Sequence, residues 1–264
     1  MALDPPSEAE LESCPFCEGR EDRTPPETFA LAAAERAPDT PGWQVRVVPN
    51  LYPAFERQEV VISVPRHVHT FAELDDAELG CVAAAWQARA EAARGEGFAY
   101  VHAFLNEGRE AGASLAHSHT QLVWLREVPA AVAKERTAAG DCGVCELLER
   151  DDMLVDEREG VAALAHPAGR LPYEVLIAPR AHDEHGFASE LLPSAFALLA
   201  ATIRRLHALE GRVPLNAWLH AAGHWHIELV PRLAILASVE LGAGIFVNAL
   251  PPEDAAAALR DTVG

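Results

Sequence analysis

Four landmarks recur in the same order in the two halves of this 264-residue chain, and that repetition constrains the fold more than any single motif. The first half runs Cys14-x-x-Cys17, a stretch ending Val64-Pro65-Arg66-His67, an alanine-rich stretch, then His117-x-His119-x-Gln121. The second runs Cys142-x-x-Cys145, a stretch ending Ala178-Pro179-Arg180-Ala181-His182, another alanine-rich stretch, then His224-x-His226-x-Glu228. Such a coincidence of order points to one supersecondary unit used twice. Residues 44–48, 60–64 and 100–105 are rich in β-branched or aromatic side chains and predict strands, as do 161–165, 174–178, 215–219 and 226–230. Helical periodicity covers 72–94, ending near Gly95 and Gly97, and 191–209, with Gly211 beyond it. The expected class is α+β, in two tandem repeats, each a mostly antiparallel sheet with a packed helix. The repeats are expected at 1–136 and 137–264, because Ala-Ala-Gly-Asp interrupts the pattern within 130–141.

The formal charge of −19 argues against a nucleic-acid backbone or an anionic membrane as main partner, although a nucleotide needs only a local cluster of donors. Half the residues are hydrophobic, enough for a substantial core, yet no apolar run approaches the length of a membrane span. The first ten residues are acidic and contain proline, unlike a secretion signal, so a cytoplasmic location is expected.

Five cysteines in a cytoplasmic chain do not suggest a disulfide framework. Four of them form the two Cys-x-x-Cys turns, and each turn supplies half of a tetrahedral metal site. Neither pair has the strand-before, helix-after context of a redox motif, and Cys81 reads as a small core residue. Adding the nearby histidines gives one set of Cys14, Cys17, His67 and His117, and a second of Cys142, Cys145, His182 and His224. Four protein ligands close a site, so two structural zinc ions are expected.

The stretch His117-Ser118-His119-Thr120-Gln121 follows a glycine-containing run, 106–114, and precedes the apolar residues Leu122 to Leu125. Read as a strand, it places His117, His119 and Gln121 on one face. A neutral imidazole attacks phosphorus and leaves again, which suits a covalent carrier of a phosphoryl or nucleotidyl group. With His117 assigned to metal, His119 is the free histidine of the pair. Charge that gathers on a transferred phosphoryl centre needs surrounding donors, which Gln121, Ser114 and the amides of residues 112–115 can provide. A hydrogen bond from the second nitrogen of His119 to a backbone carbonyl would fix its tautomer.

Taken together, these residues resemble the galactose-1-phosphate uridylyltransferase family of the histidine-triad superfamily over nearly the whole length. The resemblance runs through Cys14-Pro15-Phe16-Cys17, Val48-Pro49-Asn50-x-Tyr52-Pro53-Ala54, Pro65-x-His67, Asn106-x-Gly108, Gly112-Ala113-Ser114-Leu115 and His117-x-His119-x-Gln121. It continues through His224-Trp225-His226-Ile227-Glu228 and Pro251-Pro252-Glu253. It implies histidine-triad-like halves and a ping-pong transfer. His119 takes UMP from UDP-glucose, releasing glucose 1-phosphate, and passes it to a hexose 1-phosphate. By the same resemblance, Asn50, Asn106, Gly112 and Ser114 contact nucleotide and phosphates, Glu240 and Asn248 contact the sugar, and a homodimer is possible. The family's alternative second metal site, for iron or zinc, would use Glu135, His220, His224 and His226, but the thiolates of Cys142 and Cys145 favour zinc. Family arginines that precede the first cysteine pair have no counterpart in residues 1–13, leaving Arg109 or Arg66 as substitutes. Ser118 and Ala113 also depart from the family's proline and cysteine, without removing a nucleophile.

Three other functions fit these residues less well. A nucleotide-sugar or dinucleotide phosphorylase would use the same histidine with inorganic phosphate as acceptor. A zinc-stabilised binding protein without chemistry would have no use for the intact His119 and Gln121. Hydrolases of the superfamily carry a third histidine where this chain has Gln121. Last, Glu228 stands where the first half has Gln121. A carboxylate there would repel phosphate, so His226 is not expected to act as a nucleophile.

Overall fold

The computed structural model describes residues 5–137 and 142–262, without the side chains of 135–137. Ten strands form one sheet: β1 (Phe29–Ala32), β2 (Trp43–Pro49), β3 (Arg57–Ile62), β4 (Tyr100–Glu107), β5 (His119–Leu125), β6 (Leu154–Arg158), β7 (Val161–Ala165), β8 (Val175–Pro179), β9 (Leu215–His220) and β10 (His226–Pro231). Their order is β1-β2-β3-β5-β4-β9-β10-β8-β7-β6, and the neighbouring pairs are antiparallel. Adding five to each strand of the first half reproduces the second half in reverse order, so the two five-stranded arrays meet back to back at β4 and β9. That pattern is the duplicated α+β architecture expected from the repeated landmarks.

Both long helices lie on one face. Asp76–Gly95 starts at Asp75, whose side chain accepts from the Glu78 amide while Glu78 returns the bond to Asp75. This cap corrects the helix expected from residue 72. Residues Phe71–Glu73 form a separate short turn with its own cap at Thr70, and the long helix begins afresh at Asp76. The second helix is Leu192–Glu210, with proline in its first turn, where no amide partner is lost. Phe196 packs edge-on to Phe71 and Trp86, which locks the helices together over Val101, Ala103, Leu105, Ala217 and Leu219 of the central strands.

Alternation then decides what faces the other way. In β5 Leu122 and Trp124 enter the helix-covered core, so His119 and Gln121 point to the opposite face. In β9 and β10 the same rule sends Asn216, Trp218, His220, His226 and Glu228 there. The helices leave this centre of the sheet uncovered. The expected join at 136/137 lies at the end of the helix Ala130–Thr137, and residues 138–141 lie outside the described residues.

Candidate active site and metal centres

Two groups of four ligand atoms converge, one in each half, and they are the sets expected from sequence. In the first, Cys14 Sγ lies 3.4 Å from His117 Nδ1, while Cys17 Sγ lies 3.4 Å from His67 Nδ1 and 3.8 Å from His117 Nδ1. In the second, Cys142 Sγ is 3.5 Å from His224 Nδ1, and Cys145 Sγ is 3.5 Å from His182 Nδ1 and 3.3 Å from His224 Nδ1. A tetrahedral ion with ordinary zinc–sulfur and zinc–nitrogen bonds gives sulfur–nitrogen edges of about 3.6 Å, so both groups fit such an ion. Three of the four remaining ring nitrogens are oriented by outer partners, and the buried His67 Nε2 has none among the described residues. His117 Nε2 pairs with the Val64 carbonyl at 3.2 Å, His224 Nε2 with the Pro179 carbonyl at 2.9 Å, and His182 Nε2 with Glu184 at 3.0 Å. Burial and the neighbouring Cys14 push the Cys17 thiol up to about 12. Burial, with the other rings nearby, holds His117 down at about 3 and therefore neutral, as a ligand must be. The alternative set of Glu135, His220, His224 and His226 falls partly on residues outside those described. His224 presents Nδ1 to the two thiols, and the Glu135 side chain lies outside the described residues.

One sequence expectation needs correction beside this group. The strand begins at His119 rather than at His117, because the His117 ring is drawn toward the cysteines and its carbonyl turns to accept from His119 Nδ1 at 2.8 Å. That bond fixes the proton on Nδ1 and leaves Nε2 as a lone pair. Burial lowers the His119 pKa, the backbone bond opposing it, so the buried ring is neutral. Phe16, from the first Cys-x-x-Cys turn, meets both rings edge-on at 6.1 and 5.3 Å.

Gln121 shares the face of His119. Its Oε1 accepts from Gln58 Nε2 at 2.9 Å and from Asn50 Nδ2 at 3.4 Å, so its own NH2 is the group left to donate outward. Gln58 escaped the sequence reading. It sits near the start of β3 beside charged residues, and only the pairing of Val60 with Gln121 brings it close. The glycine-containing loop closes the end of the strand. Gly108 has φ +82°, and a side chain there would meet Pro214 at 2.8 Å, so glycine is required. Gly112 is left-handed, with Asn106 beside it, and Ser114 follows two residues on. Asn216, from the second half, donates to both Asn106 Oδ1 and the Ala111 carbonyl at 2.8 Å each. It thereby ties the loop to β9, a link between halves that no local pattern could signal.

A second polar cluster lies three strands away. Gln121, Phe104, Trp218 and Glu228 stand in one cross-strand row, so Glu228 is about 14 Å from Gln121 at ordinary strand spacing. Its carboxylate pairs with Arg170, which also holds Glu174 and lies over the Trp218 ring. Burial would raise the Glu228 pKa, but His226, His220 and Arg170 outweigh it and hold the group near 2. His226 repeats the His119 arrangement, with Nδ1 on the His224 carbonyl at 3.1 Å. The two residues assigned to sugar lie on the C-terminal segment. Glu240 accepts from the Ala237 amide at the start of a short helix, and Asn248 donates to the Gly169 and Leu171 carbonyls. Neither hydrogen-bonds to His119 or Gln121.

The fold and this site together define a class, an enzyme that moves nucleotidyl groups or cleaves by phosphate. Residues 52–129 match the N-terminal domain family of galactose-1-phosphate uridyl transferase. An ADP-glucose phosphorylase of Arabidopsis thaliana is 28% identical over 94% of this chain and 82% of its own length. A galactose-1-phosphate uridylyltransferase of Thermotoga maritima is 30% identical over 62% of this chain and 60% of its own. The crystal structure of an Arabidopsis thaliana ADP-glucose phosphorylase with bound ADP-glucose superposes with a TM-score of 0.85, at 27% identity, over 98% of this chain and 93% of that one. The chain is thus similar along most of its length to proteins of the galactose-1-phosphate uridylyltransferase-like kind. Among its described residues no helix is long and apolar enough to cross a membrane.

Proposed function

We propose that the protein transfers a nucleotidyl group from a nucleotide sugar to a phosphate-bearing acceptor through a covalent intermediate on His119. The observation that carries this reading is the pinned His119 ring: Nδ1 donates to the His117 carbonyl at 2.8 Å, and among the described residues nothing bonds to Nε2. Nε2 attacks the α-phosphorus, the bond to the departing sugar phosphate breaks, and Gln121, Ser114 and the amides around Gly112 receive the charge. Asn50 and Asn106 position the nucleotide end, and Glu240 and Asn248 remain candidates for sugar contacts from the C-terminal segment.

Nucleotide-sugar phosphorolysis is the favoured form of this activity. It is supported by similarity to an ADP-glucose phosphorylase along most of both chains. Uridylyl transfer to a hexose 1-phosphate, the narrower expectation from sequence, is the second form, supported by the match over residues 52–129 and by the Thermotoga relative. In both forms the halves 1–136 and 137–264 act as one site-bearing and one supporting repeat, and each Cys2His2 group holds a structural zinc ion. A second copy of the chain is the expected protein partner, for which exposed Tyr52, Ile235, Leu241 and Val247 offer apolar surface.

Incubation with labelled ADP-glucose or UDP-glucose, followed by an alkaline quench, should trap a nucleotidyl-histidine that maps to His119. His119→Asn should lose turnover by several orders of magnitude, as removal of a covalent nucleophile does, while His226→Asn should still form the adduct. Normal turnover in His119→Asn, or a label on His226, would overturn the assignment.

A further inference from the structure

A cavity of about 510 Å³ opens at the end of the central strands, beside the His119 strand. Its walls include Ser118, the residue before His119, and Asn106, which lies opposite His119 one step beyond the Leu105–Thr120 pair. Two arginines reach it from different halves. Arg109 comes from the turn Arg109–Ala111, and Arg212 from just past the helix Leu192–Glu210. Among the described residues neither forms an ion pair. Arg212 donates once, to the His69 carbonyl at 3.0 Å. At least eleven other arginines of this acidic chain are ion-paired, whereas these two, from different halves, bring guanidiniums without a carboxylate partner to one cavity wall.

The one buried carboxyl on the wall does not cancel them. Glu107 accepts from Thr70 Oγ1 at 2.7 Å, from Ser118 Oγ at 3.0 Å and from the Phe71 amide, so its oxygens are already occupied. Burial pushes its pKa up, which favours the neutral form. Arg66, the other candidate from sequence, is held by Glu78 and the Glu73 carbonyl. A cavity with two guanidiniums, the Ser114 hydroxyl and the loop amides is built for a doubly charged oxyanion.

We propose that Arg109 and Arg212 hold the second phosphate of the reaction, the one that leaves with the donor's sugar and returns as the acceptor. This rests on the reading of His119 given above. In the return step an oxygen of that phosphate attacks the α-phosphorus of nucleotidyl-His119. A phosphorus–oxygen bond forms, the bond to Nε2 breaks, and its electron pair returns to the ring. The attacking oxygen is already ionised, so no base is needed. Inorganic phosphate gives a nucleoside diphosphate and a sugar 1-phosphate gives a nucleotide sugar. The cavity exceeds a bare phosphate in volume, so it can admit either.

Arg109→Ala, Arg212→Ala and the pair should first be compared with wild type in equilibrium binding of inorganic phosphate, of glucose 1-phosphate and of AMP, which has no second phosphate. Loss of a charge-assisted contact predicts about tenfold weaker binding of the first two per arginine, with AMP unchanged. Arg→Lys at each position should recover part of the loss, because the charge returns without the planar fork. Discharge of the trapped adduct by each acceptor should slow by a similar factor, and the acceptor that discharges it identifies the source of the phosphate. Unchanged phosphate binding in the double variant would overturn the assignment, as would an equal loss for AMP. If wild type forms no adduct on His119 but loses phosphate binding with the arginines, the chemistry proposed above fails and the anion site stands.

Discussion

Gln121→Glu makes the first half imitate the second at the position where the two differ most. The volume is unchanged and one NH2 becomes an oxygen. In the wild type Oε1 already accepts from Gln58 and Asn50, which leaves the amide NH2 as the outward donor. The substitution removes that donor and adds a charge facing the transferred phosphoryl group. Losing a hydrogen bond to a charged group costs about 1.5–3 kcal/mol. Two like charges about 4 Å apart repel by about 4 kcal/mol at an effective dielectric near 20. The second figure is a ceiling, since a new carboxylate can rotate toward Gln58 or take up a proton. A loss of about 3–4 kcal/mol in transition-state stabilisation follows, or roughly 10²–10³ in the rate of adduct formation.

The assay is single-turnover labelling of His119 from a nucleotide sugar, with thermal unfolding measured in parallel. The variant should remain folded, because Gln121 is half-buried and both neighbouring amides still have an oxygen to bond. Adding Gln58→Arg should then separate charge from donor. It recreates the Arg170–Glu228 pairing of the second half, which removes repulsion but not the lost donor. The double variant should recover only part of the rate. A Gln121→Glu rate within about threefold of wild type would mean that this side chain does not face the phosphoryl group, and the reasoning would fail.

Two further outcomes are expected from the metal groups and from the buried carboxyl. Elemental analysis should find two zinc ions per chain, and Cys14→Ser should remove one of them and lower the melting temperature sharply, since ligand-site formation contributes directly to folding free energy; a metal-free protein with unchanged melting would refute this. Glu107 has a folded-state pKa raised by burial, so its stabilising contribution is full below the ordinary carboxyl value and is lost as pH rises through the raised one. The melting temperature of wild type relative to Glu107→Gln should therefore fall as pH rises from the ordinary carboxyl value through the raised one, and a constant or rising difference would exclude a raised pKa.

What sequence could reveal followed from spacing. The metal sets were legible because each landmark has a fixed place in a repeated order, and the strand-and-helix layout because its periodicities are long. Edge elements were not. β1 is Phe-Ala-Leu-Ala, with no β-branched residue, and β6 is the charged Leu-Val-Asp-Glu-Arg, so neither shows the alternation of a half-buried strand. Both pair on one side only. At the site His119 and Gln121 stood out, but the side chains that orient them did not. Gln58 reaches Gln121 through strand pairing across 63 residues, and Asn216 reaches Asn106 across 110. Arg212 joins Arg109 at one cavity only because β4 and β9 meet at the centre of the sheet. Contacts that depend on how the halves dock leave no mark on either half alone.

That docking also explains how one half can carry the chemistry while the other retains its parts. Both have a histidine pinned through Nδ1 to the carbonyl two residues before it, and both have a polar side chain two residues after it. In the first half the follower is an amide oriented by two neutral amides. In the second it is an ionised carboxylate, clamped by Arg170, with a second carboxylate, Glu174, on the same guanidinium. The Glu228 carboxylate lies 3.9 Å from His226 Nε2 and would repel a phosphate approaching that nitrogen. The second half is therefore unsuited to bind the transferred group, yet the exchange costs the fold little because each arrangement satisfies its own partners. Freed from that task, the second half supplies Asn216 to the loop beside His119 and Arg212 to the adjoining cavity. On the function proposed above, one half presents the nucleophile, and the other lines the cavity beside it.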